Sequence, residues 1–222
     1  MAATQRVVIS SLTDNVRTGD LVFFNQRCDS LLDAPRFAVV CAFRKYGLSH
    51  SGAGVFDHAG VVVRNPRTDV PWLLEGSSSA VRLTPFEERA MEAAKTASEV
   101  VLVRLETPRT PALEARAQGY VAELAGGERG GRTVSPSLAQ LWRVYDGSAR
   151  ESRPPPAASG SADPLFGAAL VAGLYARLGL VSREDGERQW TPLGLRSRAF
   201  GRCLRRGAKL HGEIHILQQS AR

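Results

Sequence analysis

His58 sits near the start of one apolar run, Phe56-Asp57-His58-Ala59-Gly60-Val61-Val62-Val63, and Glu75 lies near the end of another, Trp72-Leu73-Leu74-Glu75-Gly76. Both runs read as strands and Asn65-Pro66-Arg67 between them reads as a turn, so a hairpin is expected. A carboxylate on an adjacent antiparallel strand can hold an imidazole in one tautomer. That is the base-and-orienter half of a Cys/His/acid arrangement. Plainer roles are open to both residues: a strand histidine that caps a backbone group, and a charge exposed at a strand end.

A nucleophile is harder to find. The three cysteines, Cys28, Cys41 and Cys203, are scattered, with no pair at CxxC spacing, which suggests neither a disulfide framework nor a zinc site. Cys41 falls mid-helix among Val39, Val40, Ala42 and Phe43, where a structural core role is expected and the helix dipole gives it little. Cys203 lies beside Arg202, Arg205 and Arg206, charges that would depress its pKa. Ser77-Ser78-Ser79 lacks the Gly-x-Ser-x-Gly pattern of a nucleophile elbow and reads as a turn. His211 and His215 form at most a weak metal pair, and surface and strand roles fit them better. No phosphate-binding or dinucleotide fingerprint occurs, so neither metal nor cofactor is expected.

The elements that would position these residues follow in order. Thr18-Gly19-Asp20 reads as a turn into the strand Leu21–Phe24, with Val7–Ile9 ahead of it as a short strand or lead-in. Ser30–Tyr46 carries apolar residues at helical spacing. Ala80–Leu83 is expected as a strand, and Thr84-Pro85 with Glu87 and Glu88 as a helix start in the N-cap style. Glu99–Leu105 gives the strongest strand signal. Helices are expected over Pro111–Leu124, Leu138–Tyr145 and Phe166–Leu178, the last stopped by Gly179. A short basic helix and a final strand Glu213–Leu217 close the chain. This order implies an α+β domain with an antiparallel sheet packed against helices.

Three segments, Gly19-Asp20-Leu21-Val22-Phe23-Phe24, then Asp57-His58-Ala59-Gly60-Val61-Val62-Val63, then Leu73-Leu74-Glu75-Gly76, carry a resemblance. In this order they resemble the circularly permuted papain-like amidases, relatives of the NlpC-type peptidases and the lecithin retinol acyltransferases. The resemblance implies a papain-like fold, with His58 as base, Glu75 as its orienter and Asp20 in a structural turn. The late motif of that family, roughly Phe-Cys-Ser-Glu-Leu-Val-Ala followed by a Tyr and Leu-Gly-Leu, is similar to Phe166–Ala172, Tyr175 and Leu178-Gly179-Leu180. Trp190-Thr191-Pro192 also fits. Gly167 then stands where the nucleophilic cysteine would be, and glycine can neither attack a carbonyl nor hold an acyl group. The resemblance therefore implies a relic site and a catalytically inactive pseudoenzyme.

Length, composition and charge complete the expectation. At 222 residues, 43% of them apolar, the chain is expected to be one globular domain over 1–222. A Ser/Pro/Ala-rich insertion covers about 147–162. No apolar run approaches a bilayer span. Residues 1–13 hold Arg6, several hydroxyl residues and no acid, as a mitochondrial presequence would, yet the strand at Leu21 follows closely. A reducing intracellular compartment, cytoplasm or cytoskeleton ahead of the mitochondrion, fits the unpaired cysteines. Arg196, Arg198, Arg202, Arg205, Arg206 and Lys209 crowd residues 196–209 with no acid among them. They read either as a solvated helix face or as a patch for an acidic protein surface, RNA or a ribonucleoprotein, a cytoskeletal polymer, or anionic lipid. The expected function is a structural or binding subunit of a larger assembly. The alternatives are an active thiol amidase or acyltransferase using another cysteine, and a peptide- or acyl-binding module that keeps the old cleft.

Overall fold

The computed structural model describes residues 5–8, 12–26, 56, 58–76, 81–125, 167–188 and 190–217. Cys28, Cys41, Ser77–Ser79, the helices expected at Ser30–Tyr46 and Leu138–Tyr145, and the insertion at 147–162 lie outside them. The described chain is α+β. Its seven strands are β1 (Gln5–Val8), β2 (Leu21–Gln26), β3 (His58–Arg64), β4 (Pro71–Gly76), β5 (Val81–Pro85), β6 (Ala97–Glu106) and β7 (Lys209–Leu217). They form one sheet in the order β1-β7-β6-β2-β3-β4-β5.

Six of these strands pair antiparallel, as expected. β1 departs from the expectation: it adds to the outer edge of β7 in parallel, with Gln5 opposite Ile214 and Val8 opposite Leu217. The sequence could not announce this pairing, because its partner lies at the far end of the chain and a four-residue strand carries too short a pattern. The final strand is also longer than Glu213–Leu217, since Lys209–Gly212 are drawn in by pairing with β6.

The two faces of the sheet bury separate cores. One face presents Leu21, Phe23, Ala59, Val61, Val63, Val101 and Val103 to α2 (Pro111–Ala125) and α3 (Gly167–Leu178). Beyond the short α4 (Arg183–Glu187), the C-terminal helices α5 (Pro192–Arg196) and α6 (Arg198–Cys203) bury Leu195 and Phe200 in the same core. The other face carries Val22, Phe24, Val62, Leu73, Val100 and Leu102, covered by α1 (Phe86–Thr96) and by Leu12 and Val16. Central strands enclosed on both sides need apolar residues at successive positions, which explains the Val61-Val62-Val63 and Val100–Val103 runs.

Helix ends follow local chemistry with one exception. α3 is buried around most of its circumference and ends in a Schellman arrangement. Leu180 N donates to Tyr175 O and Gly179 N to Ala176 O, with Gly179 at φ +75°. α1 buries Phe86, Ala90 and Ala93 along one stripe and places Glu87 and Glu88 in its first turn, where the dipole favours acids. Its cap position is Pro85 with no side-chain bond, so the N-cap expected at Thr84 is absent; Thr84 is consumed in β5 opposite Leu73.

The turn before β2 is held by a buried carboxylate. Asp20 accepts from the backbone N–H groups of Arg17 at 2.8 Å and Leu105 at 2.9 Å, and pairs with Arg109. Burial raises its pKa, and the two N–H donors and Arg109 only partly oppose the rise. Between the ordinary value of 3.8 and the raised native value, the folded protein holds more protons than the unfolded chain. Asp20 therefore contributes a stability that falls as pH rises through that window. Asp20→Ala is expected to cost about 2–3 kcal/mol by orphaning two backbone donors. Asp20→Asn is expected to remove this contribution to the pH dependence, read from denaturation midpoints across the acid range.

Candidate functional site

The hairpin places His58 and Glu75 as the sequence suggests. His58 Nε2 lies 2.8 Å from Glu75 Oε1, and Arg89 of α1 donates from Nε to Glu75 Oε2 at 2.8 Å. Glu75 is buried, and burial alone would raise its pKa. The hydrogen bonds and charges of His58 and Arg89 outweigh that and hold the carboxyl below its usual value. An ionised carboxylate only accepts, so His58 must donate from Nε2, which leaves Nδ1 without a partner among the described residues. Phe24 packs against the imidazole, ring centroids 5.6 Å apart, and the Arg89 guanidinium lies 4.7 Å above the same Phe24 ring. Arg89 is the member of this network that sequence reading missed. Its position in the first turns of a helix that returns over β4 was its only signal.

Gly167 is elsewhere. His58 faces the α1 side of the sheet with Phe24, its cross-strand partner, and Glu75 faces the same side two residues beyond Leu73. Gly167 begins α3, which packs on the opposite side against Ala59 and Val61. A β-carbon on Gly167 would lie 2.2 Å from the Ala59 carbonyl oxygen and 3.4 Å from that of Gly76. The helix start is thus pressed onto strand backbone, and a cysteine side chain has no room there. The structure brings His58 and Glu75 together and keeps Gly167 apart from them, with the sheet between.

The remaining cysteine and histidines are also placed. Cys203 Sγ bonds to the Ala199 carbonyl at 3.4 Å. Burial first, then the charge and hydrogen bond of Asp185, push its thiol up despite Arg188 and Arg205. The lowered pKa expected from neighbouring arginines is therefore corrected: sequence neighbours on a short helix point outward, whereas Asp185 is close in space. His211 pairs with Glu106 and His215 with Glu99, each across β6 and β7. Among the described residues, no group of three or more His, Cys, Asp and Glu is placed to hold a metal ion. No described helix is long and apolar enough to cross a membrane.

The basic segment divides. Arg196 turns inward, bonded to Glu213 and stacked 4.0 Å over the Phe56 ring, so it belongs to the core's rim. Arg198, Arg202, Arg205, Arg206 and Lys209 are exposed and form no ion pair among the described residues. Arg198 and Arg202 stand one turn apart on α6, and Arg205 N donates to Leu180 O, fixing the following turn against the end of α3.

Comparison with known proteins does not uphold the papain-like resemblance. No protein-family model matches the chain, and no curated protein matches it. A solved structure, the metalloprotein yiiX (DUF1105) from Escherichia coli O157:H7, is 17% identical over 89% of this chain and 97% of that one. Its TM-score of 0.39 is too low to carry an argument about fold or function. The short motifs that suggested the permuted papain-like family are corrected accordingly: patterns as short as Gly-Asp-Leu and His-Ala-Gly are matched by chance, and no family model matches the chain around them. The architecture that stands is an α+β domain with a seven-stranded sheet.

Proposed function

We propose that this chain is a non-catalytic binding or structural subunit that docks onto an acidic protein surface through its C-terminal basic ridge. The observation that supports it most is the ridge: Arg198, Arg202, Arg205, Arg206 and Lys209 are exposed with no carboxylate partner among the described residues. Cations gathered without counter-charges repel one another, and an acidic partner relieves that while gaining electrostatic steering. The His58–Glu75–Arg89 network, by contrast, is closed on itself, with both carboxylate oxygens occupied. The competing reading, a thiol amidase or acyltransferase, draws on the His58–Glu75 pair and needs a cysteine beside it.

Fluorescence polarisation with a labelled polyglutamate peptide tests the proposal. Binding is expected to weaken as salt rises, and Arg198→Glu with Arg202→Glu is expected to weaken it at least about tenfold. Unchanged affinity in that double variant would remove the ridge from the proposal. A thiol-reactive amide probe is expected to label slowly and without regard to His58. Rapid modification of one cysteine that His58→Ala abolishes would favour the hydrolase instead.

A further inference from the structure

We infer that Arg116 and Arg206 form a clamp for a phosphate monoester at the end of the basic ridge. The inference rests on the docking reading above, since it names the chemistry a partner would present there. Arg116 comes from α2 and Arg206 from the turn after α6, and they converge on Gly179 at the end of α3. A β-carbon on Gly179 would lie 3.4 Å from Arg206 Cζ and 3.5 Å from Arg116 Nη1. Both arginines are exposed, and neither forms an ion pair among the described residues. The carbonyl of Leu178 accepts from Arg116 Nη1 at 3.3 Å, so the helix end accounts for one edge of one guanidinium. The rest of the donor set has no partner among the described residues.

The backbone that delivers Arg206 is strained toward this position. Ala208 N donates to Arg205 O at 3.0 Å across a turn whose central residues, Arg206 and Gly207, have φ of +57° and +71°. Both values are left-handed, the signature of a type I′ turn, whose first central position favours Asn, Asp or Gly. A long β-carbon-bearing side chain is disfavoured there, yet the chain holds an arginine and aims it at a second arginine.

The charge count chooses the ligand class. A carboxylate, or an internucleotide phosphodiester, carries one negative charge, which a single guanidinium fork can satisfy. A phosphate monoester carries about −1.5 to −2 at neutral pH with three acceptor oxygens, which suits two guanidinium groups. Among the described residues no exposed aromatic accompanies the clamp for stacking bases, which turns the assignment away from RNA and toward a phosphorylated side chain.

Calorimetric titration of the full chain with inorganic phosphate, at fixed ionic strength, tests the clamp. Saturable binding is expected, weakened at least about tenfold in Arg206→Asn and in Arg116→Ala, and unchanged in Arg67→Ala, an equal charge loss on the exposed β3–β4 turn, which belongs to neither arm of the clamp. Asn suits the left-handed position, so the Arg206 variant keeps the turn. A serine-phosphorylated acidic peptide is expected to bind at least about tenfold tighter than the same peptide unphosphorylated, a gap that Arg206→Asn closes. Absence of saturable phosphate binding, equal affinity for the two peptides, or equal loss on Arg67→Ala would overturn the clamp. So would RNA without terminal phosphates binding with the same dependence on Arg206. Loss of unphosphorylated-peptide binding in Arg198→Glu with Arg202→Glu would then show that docking survives the clamp's failure. Insensitivity to that pair would show that docking itself had failed.

Discussion

Gly167→Ala is expected to destabilise the protein by about 3 kcal/mol, and Gly167→Cys by at least as much, seen as a lowered denaturation midpoint. The first side-chain atom would be driven to 2.2 Å from the Ala59 carbonyl oxygen, which belongs to the backbone of a central strand and cannot swing aside as a flexible side chain would. Relief requires α3 to lift off β3, which opens the core around Ala168, Leu170 and Val171. A helix interior or first turn ordinarily welcomes alanine over glycine by about 1 kcal/mol, so the sign of the effect is diagnostic. Stabilisation by Gly167→Ala would show that the helix start is not pressed on the strand. A variant that places a cysteine here is expected to gain no thiol reactivity linked to His58, because the two positions lie on opposite sides of the sheet.

Glu75→Ala is expected to be the other large loss, about 3–4 kcal/mol, because it strands two buried or half-buried partners at once. Arg89 and His58 have side chains only 16% and 19% exposed, so water cannot replace the carboxylate fully. Glu75→Gln keeps the volume and one acceptor and is expected to lose about half as much. The effect has a pH signature. Since the native pKa of Glu75 lies below its ordinary 4.5, the contribution is fully present above that value and is lost as pH falls through the native one. Asp20, with its pKa raised, gives a slope of the opposite sign in the same acid range. Comparing the acid-range stability of the two single variants separates them: Glu75→Gln should flatten the acid loss, Asp20→Asn should deepen it. If Glu75→Ala left stability unchanged at pH 7, the pair would be a surface contact and the network described above would not hold.

The readable parts of the fold were those that depend on neighbours in sequence. The hairpin joining β3 and β4 follows from two apolar runs around Asn65-Pro66-Arg67, and it delivered the His58–Glu75 contact. The end of α3 follows from Gly179, and the strand at Glu99–Leu105 from its apolar run. What failed was whatever required knowing a face. β3 is buried on both sides from Ala59 to Val63, so its pattern has no polar positions to reveal which side His58 shares with which helix. A one-residue change of parity moves a side chain through the sheet, and the placement of Gly167 relative to His58 turned on it. Residues from distant elements were equally invisible: Arg89 against Glu75, Asp185 beside Cys203, and Arg116 beside Arg206 each pair segments that periodicity does not link.

By itself, then, the sequence determined the α+β class, the hairpin and its histidine–carboxylate pair, the glycine stop of α3, and the excess of cations near the C-terminus. Those properties arise from backbone preference, local hydrophobic spacing and net charge, which act over a few residues. Tertiary structure alone decided that Gly167 and His58 are separated by the sheet, and that Arg196 is folded inward while its neighbours stay exposed. It alone set Arg206 toward a second arginine at the end of α3. Each of these depends on which faces meet when the layers pack, a choice settled by burial of the two cores together and encoded in no single stretch of the chain.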